Sequence, residues 1–311
     1  MRREVPVTPV VRIERLAKRY GSHHAVREIS FTVREGTVTG FLGPNGSGKT
    51  TTLRALVGLV TPSSGRAEVF GRSYREHPDP ARLVGTALGP TSHPRRTARD
   101  QLTALAMPLR VGRHRVDEVL ATVGLTAAAD RRTGGYSLGM RGRLALACAL
   151  LGDPALLVLD EPHGGLDPDG IRWLHDFLRG WAARGRTALL SSHALADVAR
   201  TADHVVIINA GRVVLDVPTA ELDQALVADA PAADTGRVEV RAAEAGRLAD
   251  LLAAEGLSPR WSGPDGHTLV LPTGTAELVG RLAARHGIAL VELHTRAPDL
   301  ADVYFSLTGP G

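Results

Sequence analysis

Gly43-Pro44-Asn45-Gly46-Ser47-Gly48-Lys49-Thr50 decides the reading of this chain. It follows a short apolar run at 37–42, and helix-forming residues continue to about position 59. Strand, glycine loop and helix in that order are the context a phosphate loop requires. Glycines let successive backbone N–H groups curl around phosphate oxygens with no Cβ in the way. The helix N-terminus adds the positive end of its dipole. In such a loop Asn45, Gly46, Ser47 and Gly48 supply the cradle, and Lys49 neutralises the β- and γ-phosphates. The Thr50 hydroxyl ligates Mg²⁺, and Thr51 adds a phosphate contact. The segment predicts a bound nucleoside triphosphate. It does not separate kinases, GTPases and transport ATPases.

Two segments downstream extend the pattern. Leu156-Leu157-Val158-Leu159-Asp160-Glu161-Pro162 reads as an apolar strand ending in acid. Asp160 is placed to hold Mg²⁺, largely through water, and Glu161 to polarise an attacking water as general base. Before it comes Tyr136-Ser137-Leu138-Gly139-Met140-Arg141-Gly142-Arg143-Leu144. Ser137 is suited to cap a helix, and Gly139 permits close backbone approach, which together predict a second anion site at a helix N-terminus.

Around these segments the chain alternates strands and helices. Residues 10–16 and 26–33 read as strands, and a Thr-Pro-Ser-Ser-Gly turn follows the first helix. From about 91 to 150 the pattern is mainly helical. Short apolar runs at 156–159 and 187–191 read as buried parallel strands, and 204–209 with 212–215 as a hairpin. Residues 227–234 (VADAPAAD) read as linker. Beyond it strands at 237–241, 258–261, 268–271 and 288–294 and helices at 243–255 and 274–286 give the order β-α-β-β-α-β. A last helix is predicted at 299–307.

Composition sets outer limits. The 311 residues are 43% apolar and 23% charged, ordinary for a globular chain with a sizeable core. The formal charge is +4, carried by arginine, because Lys18 and Lys49 are the only lysines. Basic residues are scattered among acidic ones, which argues against nucleic acid as a partner. Cys148 is the single cysteine, so no disulfide can form within the chain; it reads as a small core residue. The first residues lack the apolar core of a signal peptide. The most apolar stretch, 144–159, is too short to span a bilayer. If a membrane process is served, another chain is expected to cross the membrane.

The three segments together resemble the nucleotide-binding domain of ABC-type ATPases, with Ser137-Leu138-Gly139-Met140 as a variant of the family signature. Three smaller marks agree in order. Gly165-Leu166-Asp167-Pro168 resembles the D-loop, Ser191-Ser192-His193 the switch histidine that reads the γ-phosphate, and Arg19-Tyr20-Gly21 the aromatic loop that stacks on adenine. The resemblance implies that Tyr20 stacks on ATP with Val26 packed beside the ring. It implies that Ser137, Gly139 and Met140 serve the γ-phosphate bound on the opposite subunit, and that Asp167 contacts that subunit's site. The tail is similar to the small C-terminal domain of daunorubicin- and bacitracin-resistance type export ATPases.

The expectation is therefore an α/β P-loop ABC ATPase domain over 9–217 with a helical subdomain near 90–150. A linker over 218–236 and a small α+β, ferredoxin-like domain over 237–311 follow. The implied activity is ATP hydrolysis with Mg²⁺ between two head-to-tail copies. It is coupled to transmembrane permease subunits on separate chains at the cytoplasmic face of the cell membrane, and the implied direction is export. Two alternatives remain: a non-transport ABC ATPase, and an ATP-gated regulatory or resistance subunit of low turnover. One departure bears on the second. The Q-loop position, where the family carries Gln or Glu, follows a strand expected at 83–88 and falls on Gly89, and no Gln or Glu occurs between Leu83 and Gln101. His93 is the nearby side chain that could replace the amide. His163, ahead of the D-loop, reads as a loop residue without a ligand role.

Overall fold

The computed structural model describes residues 9–89, 92–222, 237–262, 266–272 and 275–296. They divide into two units between Glu221 and Leu222. The first unit opens with an antiparallel hairpin, β1 (Val11–Tyr20) and β2 (His23–Val33). Strand periodicity turns Val11, Ile13, Ile29, Phe31 and Val33 inward. β3 (Val38–Leu42) is buried along its whole length and runs into the glycine loop and α1 (Lys49–Leu56). β4 (Ser64–Val69) then pairs with β1.

After β4 come α2 (Pro80–Leu83), β5 (Val84–Ala87) and three helices, α3 (Ala98–Leu109), α4 (Arg113–Thr122) and α5 (Leu138–Leu150). Thr97 caps α3, accepting the Asp100 N–H at 3.0 Å. Arg99 pairs with both Asp117 of α4 and Asp130. The chain returns through β6 (Leu156–Asp160), α6 (Pro168–Ala182), β7 (Thr187–Ser192), the short α7 (Leu195–Ala199), β8 (His204–Asn209) and β9 (Arg212–Pro218).

Two sheets result. β2-β1-β4 is a three-stranded antiparallel sheet, and β5-β6-β7-β3-β8-β9 a six-stranded one, parallel except for β9. The core between them holds Phe31 stacked on Phe41 at 5.1 Å, with Leu53 and Leu56 of α1. Each such buried side chain contributes about 1.5–3 kcal/mol. Because β3, β6 and β7 are neighbours and parallel, their carboxyl ends emerge side by side, and in open α/β sheets ligands bind there.

The second unit is β10 (Arg237–Ala242), α8 (Ala245–Ala254), β11 (Arg260–Ser262), β12 (Thr268–Pro272), α9 (Ala276–Arg285) and β13 (Leu290–Arg296). Its sheet order is β11-β12-β10-β13, antiparallel throughout, which is the ferredoxin-like arrangement. Val238, Val240, Leu248, Leu252, Leu269, Leu271 and Val279 form its buried core.

Three local expectations change. The segment after the Thr-Pro-Ser-Ser-Gly turn forms β4, where sequence periodicity gave no strand, because only Ala67 and Val69 of its six residues are buried. Residue 83 ends α2 rather than starting the strand. Cys148 is half-buried, not core, with its sulfur 3.6 Å from the Gln101 amide nitrogen. The helix expected at 299–307 lies outside the described residues.

Candidate active site

The glycine loop is shaped by two close approaches. A Cβ on Gly43 would stand 2.3 Å from the Ile208 carbonyl oxygen. At Gly48 it would stand 2.4 Å from the Ala25 carbonyl oxygen, and φ there is +107°. Neither position tolerates a side chain. Gly48 also precedes α1 without a side-chain cap, so the helix's first N–H groups stay open for an anion. Asn45 and Gly46 are exposed, Thr51 is half-buried, and the Ser47 hydroxyl is buried without a hydrogen-bond partner.

Lys49 is 6% exposed and folds back over the loop. Its Nζ donates to the Gly43 and Pro44 carbonyls at 2.5 and 3.1 Å and lies 3.7 Å from Glu161 Oε1. Burial pushes the ammonium below the usual lysine range; the Glu161 and Asp160 carboxylates oppose that shift. The Thr50 hydroxyl donates to Asp160 Oδ2 at 2.8 Å. A hydroxyl and one carboxylate are hard oxygen donors suited to Mg²⁺, which takes few protein ligands beside phosphates and water. Among the described residues there is no cluster of three or more His, Cys, Asp or Glu able to hold a metal.

The acidic pair is held by β7. The Ser191 hydroxyl donates to Asp160 Oδ1 at 2.5 Å and accepts the Glu161 N–H at 3.0 Å. Sequence reasoning missed this bridge; the available signal was a hydroxyl at the end of the apolar run beside β6. Glu161 sits at φ +50°, a left-handed conformation of the kind found at functional sites. Its Oε2 lies 2.9 Å from His193 Nδ1. Lys49, Thr50, Asp160, Glu161 and His193 thus meet at the mouth of the loop.

The other expected residues take separate places. Tyr20 is 50% exposed, with the Lys18 ammonium 4.9 Å from its ring centre. Lys18 Nζ also donates to the Thr61 carbonyl at 2.8 Å. Val26 is fully buried, with a methyl 3.2 Å from where a Cβ on Gly48 would stand, so it supports the loop from beneath. Ser137 is exposed and caps α5, accepting the Met140 N–H at 3.2 Å. Gly139 lies close to the D-loop segment of its own chain, since a Cβ there would be 3.1 Å from the Gly165 carbonyl oxygen. Asp167 caps α6, accepting the Gly170 N–H at 2.8 Å. Gly89 lines a cavity of about 530 Å³ together with Leu138, Arg141, Asp160, Glu161 and Trp173. Its φ is +143°, and the space where a Cβ would stand is empty within 4 Å. His93 is exposed, and its backbone N–H donates to Gln101 Oε1 at 3.1 Å.

Among the described residues no helix is long and apolar enough to cross a membrane. Residues 26–164 match the family model described as ABC transporter, and residues 236–300 match a domain family of unknown function. The bacitracin transport ATP-binding protein BcrA of Bacillus licheniformis is 38% identical over 216 residues, 68% of this chain and 71% of that protein. A Nod factor export ATP-binding protein I of Cupriavidus metallidurans is 34% identical over 318 residues, 97% of this chain and 98% of that protein. Among solved structures, an ATP-binding subunit of an ABC transporter superposes with a TM-score of 0.63 at 26% identity, over 70% of this chain and 92% of that one.

Proposed function

The chain belongs to the ATP-binding, ATP-hydrolysing subunits of ABC transporters, and on that premise we propose that it drives export of a drug-like or hydrophobic small molecule through transmembrane permease subunits on separate chains. The observation that carries the catalytic part is the contact of Glu161 with His193 at 2.9 Å, beside Lys49 and the Thr50–Asp160 pair. In this reading Asn45 to Thr51 hold the phosphates, and Tyr20 stacks on adenine over the wall that Val26 supports. Thr50 and Asp160 would hold Mg²⁺, which supplies charge neutralisation at the β- and γ-phosphates. Glu161 takes the proton of the attacking water, and His193 orients that carboxylate and reads the γ-phosphate. Relatives that act in bacitracin transport and Nod factor export support the outward direction and a place at the inner face of the cell membrane.

The second half of each site is proposed to come from another copy. Ser137, Gly139 and Met140 of one subunit would face the γ-phosphate held by its partner, with Asp167 alongside. The exposure of Ser137 and Leu138 at the N-terminus of α5 supports this. Because ATP completes that interface, ligand binding and dimerisation are linked. Without nucleotide the chain is expected to be monomeric by sizing. With ATP it is expected to dimerise, and the wild-type rate per chain should rise with protein concentration. A rate independent of concentration in a permanently monomeric chain would count against the shared site.

Gly89 favours a second reading, an ATP-gated subunit of low turnover. A Q-loop side chain would reach into the cavity that Asp160 and Glu161 line; glycine leaves the water one contact short. The sequence alone suggests that Gly89→Gln raises the rate. At φ +143° any side chain also strains the backbone, by about 1–3 kcal/mol. The informative comparison is therefore Gly89→Gln with Gly89→Ala, which share the strain. The Gln variant is expected to hydrolyse ATP roughly ten- to a hundredfold faster than the Ala variant. Equal rates in the two would show that the missing amide does not limit turnover.

A further inference from the structure

Two histidines that the proposed hydrolysis does not use meet next to its centre. His163 lies in the turn Pro162-His163-Gly164-Gly165 between Glu161 and Asp167. Its ring stands edge-on to that of His175 on α6, with centres 5.4 Å apart and planes at 71°. They are only 8% and 7% exposed. Among the described residues neither nitrogen of His163 has a hydrogen-bond partner, nor does Nε2 of His175. A buried donor without an acceptor costs free energy, so an apolar ring would fill this space more cheaply.

The surroundings tie the pair to three working segments. The Gly164 N–H donates to the Glu161 carbonyl at 3.0 Å and the Leu166 N–H to the His163 carbonyl at 3.2 Å, so the turn winds directly from Glu161 into the cap of α6. Two glycines follow it, one at φ +76°, and of residues 162–166 only His163 is buried. The charged neighbours of His163 are Asp197 of α7 and Glu161; those of His175 are Asp197, Asp176, Arg179 and Arg200. Asp197 lies four residues past His193.

We propose that His163 is a positioning residue for Glu161: its edge contact with His175 holds the turn between Glu161 and Asp167 against α6 and keeps the carboxylate within reach of the attacking water. The inference rests on Glu161 acting as the base. Burial pushes both imidazoles below the usual histidine range, while Asp197 pulls the other way. Burial therefore favours the neutral form of both rings. A proton on His163 places a cation between Asp197 and Glu161, draws the turn off His175 and slows hydrolysis without displacing ATP.

The test uses the full chain and measures kcat, KM for ATP and Tm across about pH 5.5–8. His163→Ala is expected to lower kcat about tenfold while KM stays within about twofold, the signature of lost orientation rather than lost binding. His163→Phe keeps the ring and its edge contact but cannot titrate. It should recover most of the rate and move the acid limb of the profile to lower pH. A wild-type kcat in His163→Ala, no recovery in His163→Phe, or an unchanged acid limb in His163→Phe overturns the proposal. Glu161→Gln separates the two claims. If it hydrolyses at the wild-type rate, the base assignment itself fails; if it is inactive while His163→Ala is normal, only the positioning role fails.

Discussion

Glu161→Gln is expected to bind ATP and to lose about 10²- to 10⁴-fold in hydrolysis, the range that a positioned general base contributes. The substitution is nearly isosteric, and Gln takes the left-handed backbone at position 161 as readily as Glu. The Thr50–Asp160 pair is untouched, and Lys49 keeps its two carbonyl acceptors. What disappears is a group able to accept a proton from water, together with a negative charge facing the γ-phosphate. Binding should therefore be at least as tight while the chemical step stalls. A subunit that closes on ATP and cannot hydrolyse it accumulates as the closed dimer, visible by sizing with ATP and absent with ADP. Wild-type turnover in this variant would remove Glu161 from the mechanism.

How much of this was legible in the sequence depended on the kind of signal each residue left. β3, β6 and β7 are buried on both faces, so each appears as a short, mainly apolar run with functional residues at or just after its carboxyl end. The second unit was legible for a different reason. Its two described helices and the strands β10 and β12 bury one face each, so period and element order predict the ferredoxin-like sheet that the backbone forms. β4 left almost no period, with two buried residues among six.

Strand order was not legible either. β7 sits between β6 and β3, both distant from it in sequence, and its pairing with β6 brings Ser191 against Asp160 and the Glu161 N–H. Local pattern carries no information about which buried strand lies beside which. His163 shows the same limit at a single residue. Within a proline-glycine turn it has no periodic context, so it reads only as a loop residue, and its burial comes from tertiary packing. Lys18 was closer to legible. It lies two residues before Tyr20 on one strand, the spacing that puts side chains on the same face.

Lys49→Met is expected to change the unliganded Tm little and to remove about half or more of the stabilisation that ATP confers. Two effects oppose each other in the free chain. The ammonium is buried and disfavoured by desolvation, so an apolar side chain of similar length relieves that cost. Against this, the Gly43 and Pro44 carbonyls lose a donor and Glu161 Oε1 loses its cation, though Glu161 is a third exposed and retains His193. With ATP bound there is no such balance. A buried cation facing phosphate makes charge-assisted hydrogen bonds worth about 1.5–3 kcal/mol each, so its loss weakens binding by roughly ten- to a hundredfold or more. In a Glu161→Gln background, which prevents turnover, ATP at about 100 times its Kd should stabilise the parent by about 2.7 kcal/mol. At the same ATP concentration the Lys49→Met form should gain only about 0.4–1.4 kcal/mol, because that concentration is then about one to ten times its Kd. An undiminished ATP-dependent rise in Tm would mean that Lys49 does not contact the phosphates, and the orientation of the whole nucleotide in the loop would have to be reassigned.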